Sequence, residues 1–299
     1  MSRWWTYQAE RFPLFKNGLL VAAFSACAVL FTSMLTGTEA GLAWPQFLAA
    51  FVVCLLFFLQ LRLADEFKDA EEDARYRPDR PVPRGLVSLR ELAWVFAGAA
   101  ALQLLTAWWL HPKLLWVLFP AWAYLAGMSV EFGARDWLKA RPVTYLWTHM
   151  LIMPVVDFFA TACHWLPVTG SPPPLGWFLA ASFANGLVIE IGRKLRVPES
   201  EQEGVPTYSK LWGTRKAVLV WLGCVLAALI CGTAAAAQTG HLTLAAMVFS
   251  LWFIAVDLVA LRFLHLPTVE GSRHFETLAG VGTLVLYLTL GPLAWFLNR

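Results

Sequence analysis

Charge is scarce in this chain: Asp, Glu, Lys and Arg make up 14% of its 299 residues. A soluble domain carries about 25%, so an ordinary water-facing surface is excluded. Cysteine is scarce too. The five cysteines (Cys27, Cys54, Cys163, Cys224 and Cys231) form no CxxC pair and lie in or beside apolar stretches. That pattern excludes a thiol metal site and points to small core residues. No linker rich in Gly, Ser or Pro exceeds a few residues and no polar stretch could fold alone. A single domain over residues 1–299 is therefore expected. A net charge of only +3 gives no sign of nucleic-acid binding.

What is abundant is oil. Apolar residues make up 59% of the sequence, with a mean hydropathy of +0.59. Nine apolar stretches, each near the roughly 20 residues that cross a bilayer, fall near 14–36, 44–66, 91–110, 114–132, 143–163, 175–194, 215–237, 241–263 and 275–297. They lack the alternation of a barrel strand, so helices are the way to satisfy their backbone in lipid. The fold class is therefore an all-α polytopic bundle of about nine transmembrane helices. The first stretch is too long for a removable signal peptide and follows Trp4, Trp5, Tyr7 and Glu10. That leader has the look of an interfacial segment. Tryptophans such as Trp44, Trp108 and Trp177 at one boundary, and Trp4, Trp137 and Trp212 at the other, form interfacial belts.

Basic residues are distributed unevenly between the two sides. With nine crossings, 21 of the 23 Lys and Arg fall on the side of the N-terminus, leaving only Lys113 and Arg299 opposite. The positive-inside rule then places the N-terminus and the charged loops in the cytoplasm and the C-terminus outside. Two long charged connections stand out, at about 67–90 and 195–214, after the second and sixth stretches. Chemistry is expected at that face.

The first connection opens with ADEFKDAEEDARYRPDRPVPRG, Ala64 to Gly85. Asp65, Asp69 and Asp73 recur every four residues, which places them on one stripe of a helix. Glu66 borders the stripe. Like charges so spaced repel, and more strongly beside a membrane, where the dielectric falls. Mg²⁺ takes one or two carboxylates together with substrate phosphate oxygens, so the stripe suits a diphosphate held through metal. Arg77, Arg80 and Arg84 follow on a backbone stiffened by Pro78, Pro81 and Pro83, and arginine is the preferred bidentate phosphate ligand. A solvated hairpin with internal ion pairs is the plainer alternative.

The segment resembles the first aspartate-rich motif of the UbiA superfamily of intramembrane prenyltransferases. Asp65 stands where that motif has Asn and Glu66 where it has its first Asp. Asp69 and Asp73 match outright, and Arg80–Gly85 fits the Arg-Pro-x-x-x-Gly turn. The resemblance implies a bundle around a central, lipid-open cavity and a polyprenyl diphosphate held through Mg²⁺ between two acidic loops. It also implies ionisation to an allylic cation that a lipophilic or aromatic acceptor captures. The Asp-Gly-x-x-Ala-Arg opening of the CDP-alcohol phosphotransferases is missing.

The family's second aspartate series is not regular here. Its place is taken by Asn185–Gly213, with Glu190 near the end of an apolar stretch and Asn185, Arg193, Lys194 and Tyr208 around it. Glu190 is the candidate second metal ligand, and an ion pair with Arg193 or Lys194 is its alternative. Glu199, Glu201 and Glu203 read equally as a solvated loop. Lys139 and Arg141 stand where the resemblance implies further diphosphate-binding cations. Asp157 is the most unusual residue within a span, with His149 two turns before it; either could contact an acceptor, take a proton or line the cavity, and the plainer readings are a buried partner to another helix for Asp157 and a hydrogen-bonded bundle histidine for His149.

Two other classes remain in view. A terpene cyclase of the same superfamily would let the substrate's own alkene capture the cation, which the irregular second motif allows. A channel or transporter would scatter charge along several spans, whereas here it gathers at one face.

Overall fold

The computed structural model describes residues 2–38, 43–202 and 204–298, and among them no strand occurs. Glu203 lies outside the described residues. A leader helix, α1 (Arg3–Arg11), precedes α2 (Leu14–Leu35) and α3 (Trp44–Lys68). Next come α4 (Ala70–Tyr76), α5 (Leu89–Leu110), α6 (Leu115–Ser129), α7 (Arg135–Lys139), α8 (Pro142–Met150) and α9 (Ile152–Val168). The chain ends with α10 (Gly176–Gly192), α11 (Tyr208–Trp212), α12 (Thr214–Gln238), α13 (Leu242–His265), α14 (Val269–Leu288) and, after a π-turn at Thr289–Leu293, α15 (Ala294–Leu297).

Each expected span has its helical passage, but they differ in length. Seven passages are long and apolar enough to cross a membrane, counting α8 with α9 and α14 with α15 as one each. The other two, α6 with 15 residues and α10 with 17, fall short of the roughly 20 that a full crossing needs. Among the described residues seven passages are therefore full-length spans, and the expected count of about nine is reached only with the two short helices α6 and α10. The fifth passage is broken between Met150 and Ile152 because Pro154 has no N–H to return to the preceding turn. Val155 N reaches Leu151 O only at 3.4 Å.

Helix α2 lies at the centre, packed against α3, α9 and α14. Without a water-driven force between helices in lipid, small residues and close side-chain fit hold such a bundle. Accordingly, Ala23, Cys27 and Ala28 of α2 are buried. Phe31 stacks on Phe178 of α10 with ring centroids 4.8 Å apart, and Phe24 meets Tyr287 of α14 edge-on at 5.1 Å. Gly192 lets α10 approach its neighbours: a Cβ there would come to 3.0 Å from both Phe275 O and Trp221 Nε1. The successive passes bring the segments 67–88, 130–141 and 193–213 to one end of the bundle. There they meet α1, whose Tyr7 packs with Leu63, Val87 and Leu92 in a small second core.

Candidate active site at the charged end of the bundle

The acidic motif straddles a helix break. Helix α3 stops at Lys68 and α4 starts at Ala70, with Asp69 as the junction. The i→i+4 bonds nevertheless continue, Asp69 N to Asp65 O at 2.9 Å and Asp73 N to Asp69 O at 2.8 Å, so the expected common face survives the break. The three aspartates on it and the bordering Glu66 have different surroundings. Glu66 is buried and accepts from Arg11 Nε at 2.5 Å, with Arg62 Nε at 3.7 Å. Asp73 is also buried; it accepts from Arg77 at 3.3 Å and, more closely, from Arg80. Among the described residues Asp65 has only a loose ion pair, 3.7 Å to Arg62 Nη2. Asp69 forms none of the ion pairs among the described residues; burial raises its carboxyl above the usual range, partly offset by neighbouring Lys68.

The second acidic-basic segment meets this motif from the end of α10. Glu190 is buried, with one oxygen accepting from Arg193 Nε at 2.5 Å and the other 2.9 Å from Lys194 Nζ. The local ion pair weighed against a metal role is therefore what the structure contains. The Arg193 guanidinium also lies in the fields of Asp65 and Tyr208, which connects the ends of α3 and α10. Tyr208 is buried, with Lys194 Nζ 5.7 Å over its ring and Trp212 at 4.8 Å.

Several expected site residues stand apart from this meeting point. Arg84 donates to Glu10 at 2.8 Å and so secures the leader. Lys139 donates to Glu72 at 2.6 Å, tying α7 to α4, and Arg141 lies 4.5 Å over the Trp137 ring. Asn185 donates to Thr283 on α14 at 3.1 Å inside the bundle. Asp157 is fully buried and accepts from Tyr287 at 2.8 Å, a link between α9 and α14 that matches the interhelical alternative.

A further cluster, of which the sequence singled out only His149, lies beside the motif. Lys68 donates to Tyr145 Oη at 2.8 Å and lies 3.2 Å from Glu131 Oε1, to which Tyr145 also donates at 3.2 Å. His149 Nε2 is 3.2 Å from the other Glu131 oxygen. Glu131 and Phe132 both hold positive φ, +52° and +51°. That conformation costs non-glycine residues about 1 kcal/mol or more each. Packing compensates: the Phe132 ring sits against Gly127, where a Cβ would approach it to 3.2 Å, and meets Tyr124 edge-on at 5.5 Å. Burial alone would raise the Glu131 carboxyl, but His149 and Lys68 outweigh it and bring it down to about 2. The one member the sequence singled out is His149; Lys68, Glu131 and Tyr145 were not, because they meet only in the fold.

Mg²⁺ fits part of this site. No three His, Cys, Asp or Glu side chains among the described residues converge into a complete cage. Such a cage is not needed, because Mg²⁺ commonly uses one or two carboxylates plus phosphate oxygens and water. Asp65 and Asp69 are the pair whose oxygens are not claimed by a close cation. Glu66, Asp73 and Glu190 are each neutralised by arginine or lysine and would have to release those partners to ligate.

The arrangement agrees with what the chain resembles. A model of the UbiA prenyltransferase family matches residues 26–268. Among solved structures, the apo structure of a UbiA homolog from Aeropyrum pernix K1 superposes with a TM-score of 0.68 at 15% identity, covering 93% of this chain and 97% of that one. A structure of digeranylgeranylglyceryl phosphate synthase superposes with a TM-score of 0.59 at 14% identity, covering 93% and 98%. No curated protein matches the sequence. At those identities the superpositions speak for the fold, while the family match spans most of the sequence. This chain is a multi-pass integral membrane protein and belongs to the UbiA prenyltransferase family.

Proposed function

We propose that this chain is a Mg²⁺-dependent intramembrane prenyltransferase, ionising an isoprenoid diphosphate at the charged end of the bundle and transferring the prenyl group to a lipophilic or aromatic acceptor. The observation that supports this is the approach of Arg193, which pairs with Glu190 beside Lys194 at the end of α10, to Asp65 of the acidic motif at the end of α3. A diphosphate needs both kinds of partner, and its prenyl tail needs an apolar bundle beside them.

Asp65 and Asp69 would hold Mg²⁺, which neutralises charge on the leaving diphosphate when bound. Arg193 and Lys194 stabilise the same oxygens directly, and Glu190 keeps both cations at the mouth. Arg77 and Arg80, anchored on Asp73, add positive field on the α4 side. Lys139, Arg141 and Arg84 belong to the outer rim of this cationic surround, Tyr208 closes it from α11, and the bundle above excludes water from the cation. Asn185 and Asp157 contribute by fixing α10 and α9 to α14. The charged end faces the cytoplasm, in line with the basic-residue count.

The test is diphosphate release by purified protein in detergent given C10 to C20 allylic diphosphates and Mg²⁺, with and without aromatic acceptors. Asp69→Asn is expected to lower release at least about 100-fold, the scale on which loss of one preorganised charge acts, while the protein still purifies as a monodisperse species. Undiminished release from Asp65→Asn and Asp69→Asn alike would refute the site. The irregular second segment, with Glu190 neutralised by two cations, keeps a terpene cyclase as the second reading. Cyclic products formed without any acceptor would select it.

A further inference from the structure

A cavity of about 590 Å³ opens at the charged end of the bundle, and none of Asp65, Asp69, Glu190, Arg193 or Lys194 lines it. Its walls come from the first turn of α2, the segment after α10 and the first turns of α14. They carry three cations, Lys16, Arg196 and Arg273, and three carboxylates, Glu199, Glu201 and Glu276. These charges do not satisfy one another. Among the described residues no ion pair joins any of the six. Glu201 accepts from the Thr207 hydroxyl at 2.6 and 2.7 Å, and one Arg196 nitrogen donates to the Leu195 carbonyl at 3.0 Å. The ammonium of Lys16, the guanidinium of Arg273 and most of the Arg196 donors therefore have no protein acceptor among the described residues.

The height of the cavity decides what fills it. Lys16 belongs to the first turn of a full-length span, beside Phe15, which is 89% exposed, and one turn before the exposed Leu19. On the opposite wall, Leu266 lies three residues before α14 and is 72% exposed. Side chains so greasy and so bare belong against acyl chains, which puts the cavity where hydrocarbon gives way to phospholipid headgroups. Basic pockets between transmembrane helices at this level take headgroups. The balance of charge narrows the choice. With as many carboxylates as cations, the walls offer no net attraction to a purely anionic headgroup. A headgroup that carries both a phosphate and a primary ammonium finds a partner for each: arginine and lysine take the phosphate oxygens, and the ammonium donates its N–H groups to carboxylates.

We propose that this cavity binds the headgroup of a zwitterionic, primary-amine phospholipid from the leaflet at the charged end, its phosphate on Lys16, Arg196 and Arg273 and its ammonium on Glu199 and Glu276. Glu201, held by Thr207, fixes the loop instead of the lipid. No ion pair among the described residues joins α2 or α14 to the segment 195–202, so the bound headgroup is the charged link between them. That segment continues directly from Arg193 and Lys194. The lipid thereby steadies the stretch of chain that carries those two cations without touching the substrate they serve. Headgroup binding itself does not depend on the diphosphate chemistry proposed above.

The experiment is native mass spectrometry of the full-length protein in detergent, titrated with dioleoyl phosphatidylethanolamine, phosphatidylcholine or phosphatidylglycerol, and with soluble phosphoethanolamine as the free headgroup. The wild type is expected to bind the ethanolamine lipid several-fold more tightly than the choline lipid, whose ammonium has no N–H, and than the glycerol lipid, which has no ammonium. Lys16→Gln combined with Arg273→Gln should weaken the ethanolamine lipid at least about tenfold, as loss of charge-assisted contacts does. Glu199→Gln combined with Glu276→Gln leaves the cations unopposed, so it should erase the preference for ethanolamine and tighten the glycerol lipid. All four side chains are exposed, and that gain separates a lost contact from misfolding. Phosphoethanolamine should bind far more weakly than the lipid that carries it. The inference is overturned if the wild type does not prefer the ethanolamine lipid, if the cation variant binds it as the wild type does, if the carboxylate variant keeps the preference, or if the free headgroup binds as tightly as the lipid. None of these readouts involves diphosphate turnover, so their failure and that of the proposed function are distinguishable.

Discussion

At the scale of single residues, the carboxylates divide by partner. Glu66, Asp73 and Glu190 were all legible as site candidates, because acidic residues at the end of an apolar span need a reason to be there. What the sequence could not show is which of them meet cations in the fold: Arg11 lies 55 positions before Glu66, and spacing carries no information across such a gap. Glu131 illustrates the same limit. Its role depends on Lys68 and His149, which approach from other helices, and on a backbone twist that no propensity announces. Its carboxyl, ordinarily near 4.5 and about 2 in the fold, gives a pH prediction whose sign is fixed. The unfolded chain binds the proton more readily, so Glu131 contributes stability that is fully present above about pH 4.5 and lost as pH falls towards about 2. Glu131→Gln should flatten that acid limb, as measured by thermal unfolding in detergent across pH 2 to 6.

At the scale of elements, the leader is the least expected component. Its tryptophans and exposed face agree with an interfacial helix, yet α1 is also bolted to the bundle. Arg3 pairs with Glu91 on α5, Glu10 with Arg84 after α4, and Arg11 with Glu66 on α3. The first two pairs are exposed and contribute little. The third is buried on both sides. Arg11→Met is therefore expected to destabilise the protein by about 3 kcal/mol, since it strands a buried carboxylate with only the more distant Arg62, whereas Arg3→Met should change the melting temperature little. Helix boundaries were well anticipated because lipid leaves the backbone few choices. The exceptions have local causes: Pro154 divides the fifth passage, Asp69 divides the helix of the acidic motif into α3 and α4, and the short helices α7 and α11 occupy segments whose charge marked them as loops.

At the scale of the whole molecule, the multi-pass helical bundle follows from hydropathy and the concentration of basic residues at one end was expected from their count. The packing order does not: that α2 lies innermost, touching α3, α9 and α14, depends on fit among similarly apolar faces. The topology is directly checkable. Cysteines introduced at Glu199 and at Ser171 should react with an impermeant maleimide from opposite sides of a sealed vesicle, Glu199→Cys from the cytoplasmic side; labelling of both from one side would contradict the nine-pass topology.

The arginine and lysine escorts of Glu66, Asp73 and Glu190 have one more consequence. Most of the negative charge at the mouth is already balanced by the protein itself, so the resting enzyme does not rely on a divalent ion to relieve repulsion. Stripping such ions with a chelator should silence turnover yet leave the melting curve nearly unmoved, making the empty form a sound object for crystallisation and ligand screening.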